Sequence, residues 1–164
     1  MIQKIISGGQ TGADRMALDW AIWHGIPHGG WCPKGWKAED GPIGSKYLLK
    51  ETPTSNYPQR TEWNVRDSDG TVIFSLAPAL TGGSKKTIEF AIKHEKPWRH
   101  IYRDGQYDAA ELLLRFISDH RIQILNVAGP RASKEPQIAA FVKKVLEEAF
   151  FPRPDPSISG PGER

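Results

Sequence analysis

Cysteine is nearly missing from this chain, with Cys32 alone among 164 residues. No internal disulfide can form, so a reducing compartment, the cytoplasm, is the expected setting. Long apolar runs are missing too. None approaches the ~20 residues of a membrane helix, and the N-terminus lacks the pattern of a secretory signal, so no membrane partner is expected. The 22 Lys and Arg and 19 acids leave a formal charge of +3. They are scattered and form no basic block, which counts against a nucleic-acid partner. Histidines are few, and Pro27 breaks any helix that would place His24 and His28 on one face, so no protein-ligated metal is expected. The first glycine loop lacks G-x-G-x-x-G and is not followed by GK[ST], which argues against NAD and against nucleoside-triphosphate hydrolysis. No internal repeat is visible.

What is present suits one α/β domain. With 38% hydrophobic residues, residues 1–150 suffice for a single core. Residues 151–164, "FPRPDPSISGPGER", are rich in proline with little to bury, and are expected to be an extended or disordered tail. Short apolar runs alternate with helix-period segments, the pattern of a mostly parallel sheet of about five strands. Strands are expected at about 2–7, 71–75, 98–102 and 122–127, with a weak fifth near 27–30. Helices are expected at about 12–24, 59–67, 84–94, 107–119 and 134–149. Ser133 stands where an N-cap of the last helix belongs, with Pro136 in its first turn. The segment 29–56, containing "GGWCPKGWKAEDGPI", reads as a long ordered loop. Its Cys32 reads as a small buried thiol before a metal ligand or nucleophile. Five of the six tryptophans fall in the N-terminal half, as candidates for core, ligand or subunit contacts.

Three turns that lead from strands into helices carry glycine: "SGGQTG" (7–12), "TGGS" (81–84) and "AGPRAS" (128–133). In an open parallel sheet such loops gather beyond the strand C-termini, where free amides and helix dipoles attract anions. The candidate phosphate-binding residues are therefore Gly8, Gly9, Gln10, Thr11 and Gly12 of the first loop, Gly82, Gly83 and Ser84 of the second, and Gly129 and Arg131 of the third. Asp14 shares a helical face with Ala17, Leu18, Ala21 and Ile22, which points it toward the same place. A carboxylate repels phosphate, so Asp14 suits the neutral part of a ligand, such as ribose hydroxyls or a purine or pterin ring. Capping its own helix or pairing with Arg15 is the alternative. Ser84 suits either the site or an ordinary N-cap. Arg60 and Asn64, four residues apart, share a face and can reach one ligand or simply face solvent. Arg15 completes the list of candidate phosphate ligands.

Taken together, "SGGQTGADR", "RTEWNVRDSDGTVIF", "TGGSKKTIEF" and "LNVAGPRASKEPQI" resemble the putative molybdenum carrier family, over about residues 1–149. That family lies in a Rossmann-like superfamily with the lysine-decarboxylase-like phosphoribohydrolases. The resemblance implies a doubly wound α/β domain with helices on both faces, forming a homo-oligomer. It also implies a small phosphorylated ligand, molybdenum cofactor (molybdopterin) or a related pterin or nucleotide. The cofactor's own dithiolene holds the metal, so no histidine cluster is required. On this reading the protein is a carrier without catalytic residues. The alternatives are a non-catalytic nucleotide sensor and a nucleoside-monophosphate phosphoribohydrolase with Glu89 or Asp14 as the catalytic carboxylate. Thr81 to Glu89 keep two glycines and the glutamate spacing of that branch, but lack its leading proline and third glycine, and Glu89 falls off the inner helix face.

Overall fold

The run Gly70–Ser75 is buried at every position, as expected only of a strand covered on both faces. In the computed structural model, which describes residues 2–105 and 107–158, it lies inside a five-stranded sheet. The chain runs through β1 (Lys4–Ile6), α1 (Ala13–Trp23), β2 (His28–Gly29), β3 (Trp31–Cys32), β4 (Lys37–Ala38), β5 (Gly41–Pro42) and β6 (Lys50–Glu51). It continues through α2 (Tyr57–Arg66), β7 (Gly70–Ser75), α3 (Gly82–Lys93), β8 (Trp98–Tyr102), α4 (Ala109–Asp119), β9 (Ile124–Ala128) and α5 (Ile138–Phe150).

The central sheet has the order β2-β1-β9-β7-β8, and all of its pairings are parallel. Helices α1, α4 and α5 pack together on one face, while α2 and α3 pack against each other on the opposite side. The fold is therefore a Rossmann-like α/β domain. Its main core joins Ile5, Val72, Phe74, Leu125 and Val127 of the sheet to Trp20, Leu113, Val142 and Leu146 of the helices. In α5 the buried residues Ile138, Phe141, Val142, Val145, Leu146 and Ala149 recur at helical spacing and form one inward stripe. Helix α4 is capped by the Asp108 carboxylate, which accepts from the amides of Ala110 and Glu111.

Topology opens a crevice at one place. β9 leads into α5 on the face of α1, while its neighbour β7 leads into α3 on the other. Loops that leave neighbouring strands for opposite faces diverge, and the gap lies beyond the strand C-termini.

Two expectations are corrected. Segment 29–56 is more than a loop, because it carries a parallel ladder of β3 with β6 and an antiparallel one of β4 with β5. These cover a second, smaller core of Leu18, Cys32, Ala38, Ile43, Tyr47 and Leu49. The frequent Gly and Pro limit each ladder to two residues per strand. The last helix begins at Ile138, so Ser133 is not its cap and Pro136 precedes it. Residues 131–137 are instead tied elsewhere, with Glu135 accepting from the Leu76 amide at 3.0 Å. Of the tail, Phe151 stacks on His24 at 4.4 Å, and a single 3-10 turn covers Pro156–Ile158. The expectation for 159–164 lies outside the described residues. Among the described residues, no helix is long and apolar enough to cross a membrane.

Truncating the fully buried Leu146 to alanine is expected to cost about 3 kcal/mol of unfolding free energy, through lost burial and a residual cavity. The same change at the half-exposed Leu114 of α4 is expected to stay within about 0.5 kcal/mol. Denaturant titration of both variants checks the difference.

Candidate functional site

The crevice holds a cavity of about 430 Å³, within the size range of small-molecule sites. All three glycine-bearing turns reach it, through Gly8 and Gln10, through Ala79 to Ser84, and through Ala128 to Arg131. Helix α2 adds Tyr57, Arg60 and Asn64, and the strand ends add Ser75 and Asn126.

Close backbone approach holds the first and third turns together. Gly12 has φ +84°, and a Cβ there would lie 2.5 Å from the Pro130 carbonyl and 2.8 Å from the Ala132 amide. Only glycine meets both demands. The Pro130 carbonyl accepts from the Ala13 amide at 3.3 Å, and the Thr11 hydroxyl accepts from the Ala132 amide at 3.1 Å. The β4–β5 hairpin fastens this junction from outside. Glu39 accepts from the hydroxyl of Thr11 and from both the amide and the hydroxyl of Ser133. Those hydrogen bonds hold its carboxyl below the usual range. Arg15 grips Asp40 through both terminal nitrogens, at 2.8 and 3.1 Å, and donates its Nε to the Gly9 carbonyl.

The cavity wall carries a buried ion pair. The Arg60 Nη1 stands 3.4 Å from the Asp14 Oδ2, with the side chains only 10% and 11% exposed. Nη1 also donates to the Gly8 carbonyl at 3.1 Å, and the Gln10 amide donates to Asp14. Asp14 thus pairs across to α2 and not with its neighbour Arg15. Burial pushes the Asp14 carboxyl up to about 6, against the downward pull of Arg60 and of the Gln10 amide. Burial also lowers Arg60, which Asp14 opposes.

Ten of the sequence-derived candidates line the cavity: Gly8, Gln10, Asp14, Arg60, Asn64, Gly82, Gly83, Ser84, Gly129 and Arg131. Asn64 uses its carboxamide to pin β3, accepting from the Trp31 amide at 2.8 Å and donating to the Trp31 carbonyl at 2.9 Å. Ser84 lies inside α3, whose N-cap is Thr81, so its hydroxyl is not a cap. Four candidates do not line the cavity. Gly9 faces Leu49 and Ile43, Gly12 joins the two loops, and Thr11 and Arg15 are tied to Glu39 and Asp40. Glu89 is also elsewhere, half-exposed and paired with Lys86 at 3.2 Å. The buried Cys32 has its thiol pushed up to about 11, chiefly by burial, which does not suit a nucleophile. No group of three His, Cys, Asp or Glu suited to a metal occurs among the described residues.

Sequence reasoning missed Lys134, Glu135 and Asn126, all in the cavity wall. Asn126, a buried carboxamide donating to Thr71 at 3.1 Å, was detectable as the polar interruption of the apolar run "ILNVA". The Glu39 and Asp40 clasps carried no local signal, since their partners are 25 to 94 residues away.

Comparison with known proteins supplies the context. A model of the circularly permutated YpsA SLOG family matches residues 5–150. The crystal structure of a putative molybdenum carrier protein from Syntrophus aciditrophicus SB is 53% identical, with a TM-score of 0.88, covering 91% of this chain and 95% of that one. No curated protein gives a significant match.

The raised Asp14 carboxyl makes a signed prediction. Its folded-state value, about 6, lies above the ordinary 3.8, so its contribution to stability is complete below about pH 4 and is lost as pH rises through 6. Relative to Asp14→Asn, which does not titrate, the wild type is expected to lose up to about 3 kcal/mol between pH 4 and pH 7. Denaturant unfolding of both proteins at the two pH values measures this double difference.

Proposed function

The chain belongs to the circularly permutated YpsA SLOG family, and on that premise we propose that it is a binding and carrier protein for a small phosphorylated ring compound, molybdenum cofactor or a related pterin or nucleotide. The observation that carries the reading is the convergence of three glycine-bearing turns on one cavity that also contains Arg60, Lys86, Arg131 and Lys134. The Syntrophus protein, a putative molybdenum carrier, supports the choice of cargo.

The donor set suits such a molecule in two parts. Amides at the start of α3 and the cationic side chains offer a preorganised seat for phosphate, since helix N-termini and guanidinium groups both favour oxyanions. Asp14 and the Asn126 carboxamide offer acceptors and donors to ring nitrogens and exocyclic groups. Molybdenum cofactor is cargo here and arrives with its metal held by its own dithiolene, so this chain needs to supply only the seat. Nothing in the arrangement requires a reaction. A hydrolytic reading loses its family-matched carboxylate, because Glu89 does not line the cavity and is paired with Lys86.

Two results are expected from calorimetric titration with a panel of pterin and nucleoside monophosphates and their dephosphorylated forms. At least one phosphorylated member binds, and removing its phosphate weakens binding at least tenfold, about 1.4 kcal/mol. Arg131→Ala weakens the phosphorylated ligand by about tenfold while leaving the weak binding of the dephosphorylated form unchanged. Release of free base from a nucleoside monophosphate would replace the carrier reading with the hydrolase one.

A further inference from the structure

The cavity read above as an anion seat has a carboxylate in its wall, and that is chemically awkward. Asp14 and Arg60 neutralise each other across 3.4 Å, so at neutral pH the buried guanidinium has little charge left over for a ligand. A phosphate placed against Arg60 also meets the Asp14 carboxylate in a poorly solvated wall, where like charges repel strongly. The contacts of the guanidinium show how both demands are met. Its Nη1 serves the Gly8 carbonyl and Asp14, and its Nε reaches the Tyr57 carbonyl at 3.5 Å. Nη2 meets no protein acceptor among the described residues, and Arg60 lines the cavity.

We propose that capture of an oxyanion in this cavity is coupled to the uptake of one proton by Asp14, which converts Arg60 from the partner of a carboxylate into the partner of the ligand. The inference rests on the anion-seat reading and adds its regulation. The proton comes from solvent and binds a carboxylate oxygen, no covalent bond to the ligand forms, and the incoming anion replaces the lost negative charge beside Arg60. By linkage the reverse also holds, so loss of that proton expels the anion. Cargo is then held on the acid side and released on the alkaline side.

The neighbours of Asp14 fit this assignment. From its own helix comes Arg15, engaged by Asp40, and from the first loop the Gln10 amide. Helix α2 presents Arg60 and Tyr57, α3 presents Lys86, and the segment before α5 presents Arg131, Lys134 and Glu135. β3 places the buried Cys32 near Arg60. Among the described residues, no histidine lines the cavity. Glu135, the other acid among the described lining residues, already accepts from the Leu76 amide. Asp14, with its carboxyl raised by burial to about 6, is the group poised to change charge near neutrality.

Sulfate is the suitable probe, because it keeps two charges across this range. It is titrated calorimetrically into the whole protein at pH 5, 6, 7 and 8, each in two buffers of different ionisation enthalpy. Proton uptake is expected to approach one per sulfate at pH 7 to 8 and to fall toward zero at pH 5. Affinity is expected to drop about tenfold per pH unit above 6, the slope of a one-proton linkage. In Asp14→Asn both effects vanish. Sulfate binding without proton uptake in the wild type overturns the proposal even if the variant fails to fold, and so does uptake that persists in Asp14→Asn. Absence of sulfate binding at every pH overturns the anion-seat reading along with it.

Discussion

The buried pair of Asp14 and Arg60 is the constraint on which the site depends. Asp14 stands in the first turn of α1 and Arg60 in the middle of α2, helices of the two opposite layers. Their contact therefore draws the layers together just beyond the sheet edge. Burial outweighs the pull of Arg60 on the Asp14 carboxyl, so the pair positions the two side chains without being a large net source of stability. The first loop is shaped around the pair. A Cβ on Gly8 would lie 2.3 Å from Arg60 Cδ, so the glycine is the space through which the arginine reaches the loop.

Around that pair the chain is fastened by polar clasps that link distant segments. Glu39 joins Thr11 to Ser133, Asp40 holds Arg15, and Glu135 holds Leu76. Glu39 and Asp40 sit outside the cavity and Glu135 in its wall, and together they fix the backbone of the loops around it. Preorganised donors bind an anion without first being ordered, which is where such a seat gains affinity. The small second core around Cys32, Ile43, Tyr47 and Leu49 has a matching role, since it supports the hairpin from which Glu39 and Asp40 reach over.

The central sheet was legible in the sequence because its signals are local. Runs such as "TVIFS" and "ILNVA" are too apolar for anything but a covered strand, and α5 repeats its apolar residues at helical spacing. Phasing of α1 also placed Asp14 toward the cavity, whereas the shared face of Arg60 and Asn64 on α2 fitted solvent as well as a ligand. The partners of these residues were not legible. Arg15 follows Asp14 directly yet belongs to Asp40, and Arg60, 46 residues away, takes Asp14 instead. Helical periodicity tells which face a residue occupies but not which distant side chain meets it there. Segment 29–56 failed for a related reason. Its strands are two residues long, shorter than any alternation that a pattern can register.

The central claim is that the cavity at these three turns holds a phosphorylated ring compound as cargo. Native mass spectrometry of the protein isolated gently from its own cells tests this most directly. The account predicts a non-covalent adduct whose released ligand contains phosphate and a pterin or purine ring, and whose occupancy falls in Arg60→Met protein isolated in the same way. A wild-type protein that emerges without any adduct, or with a ligand lacking phosphate, would contradict it.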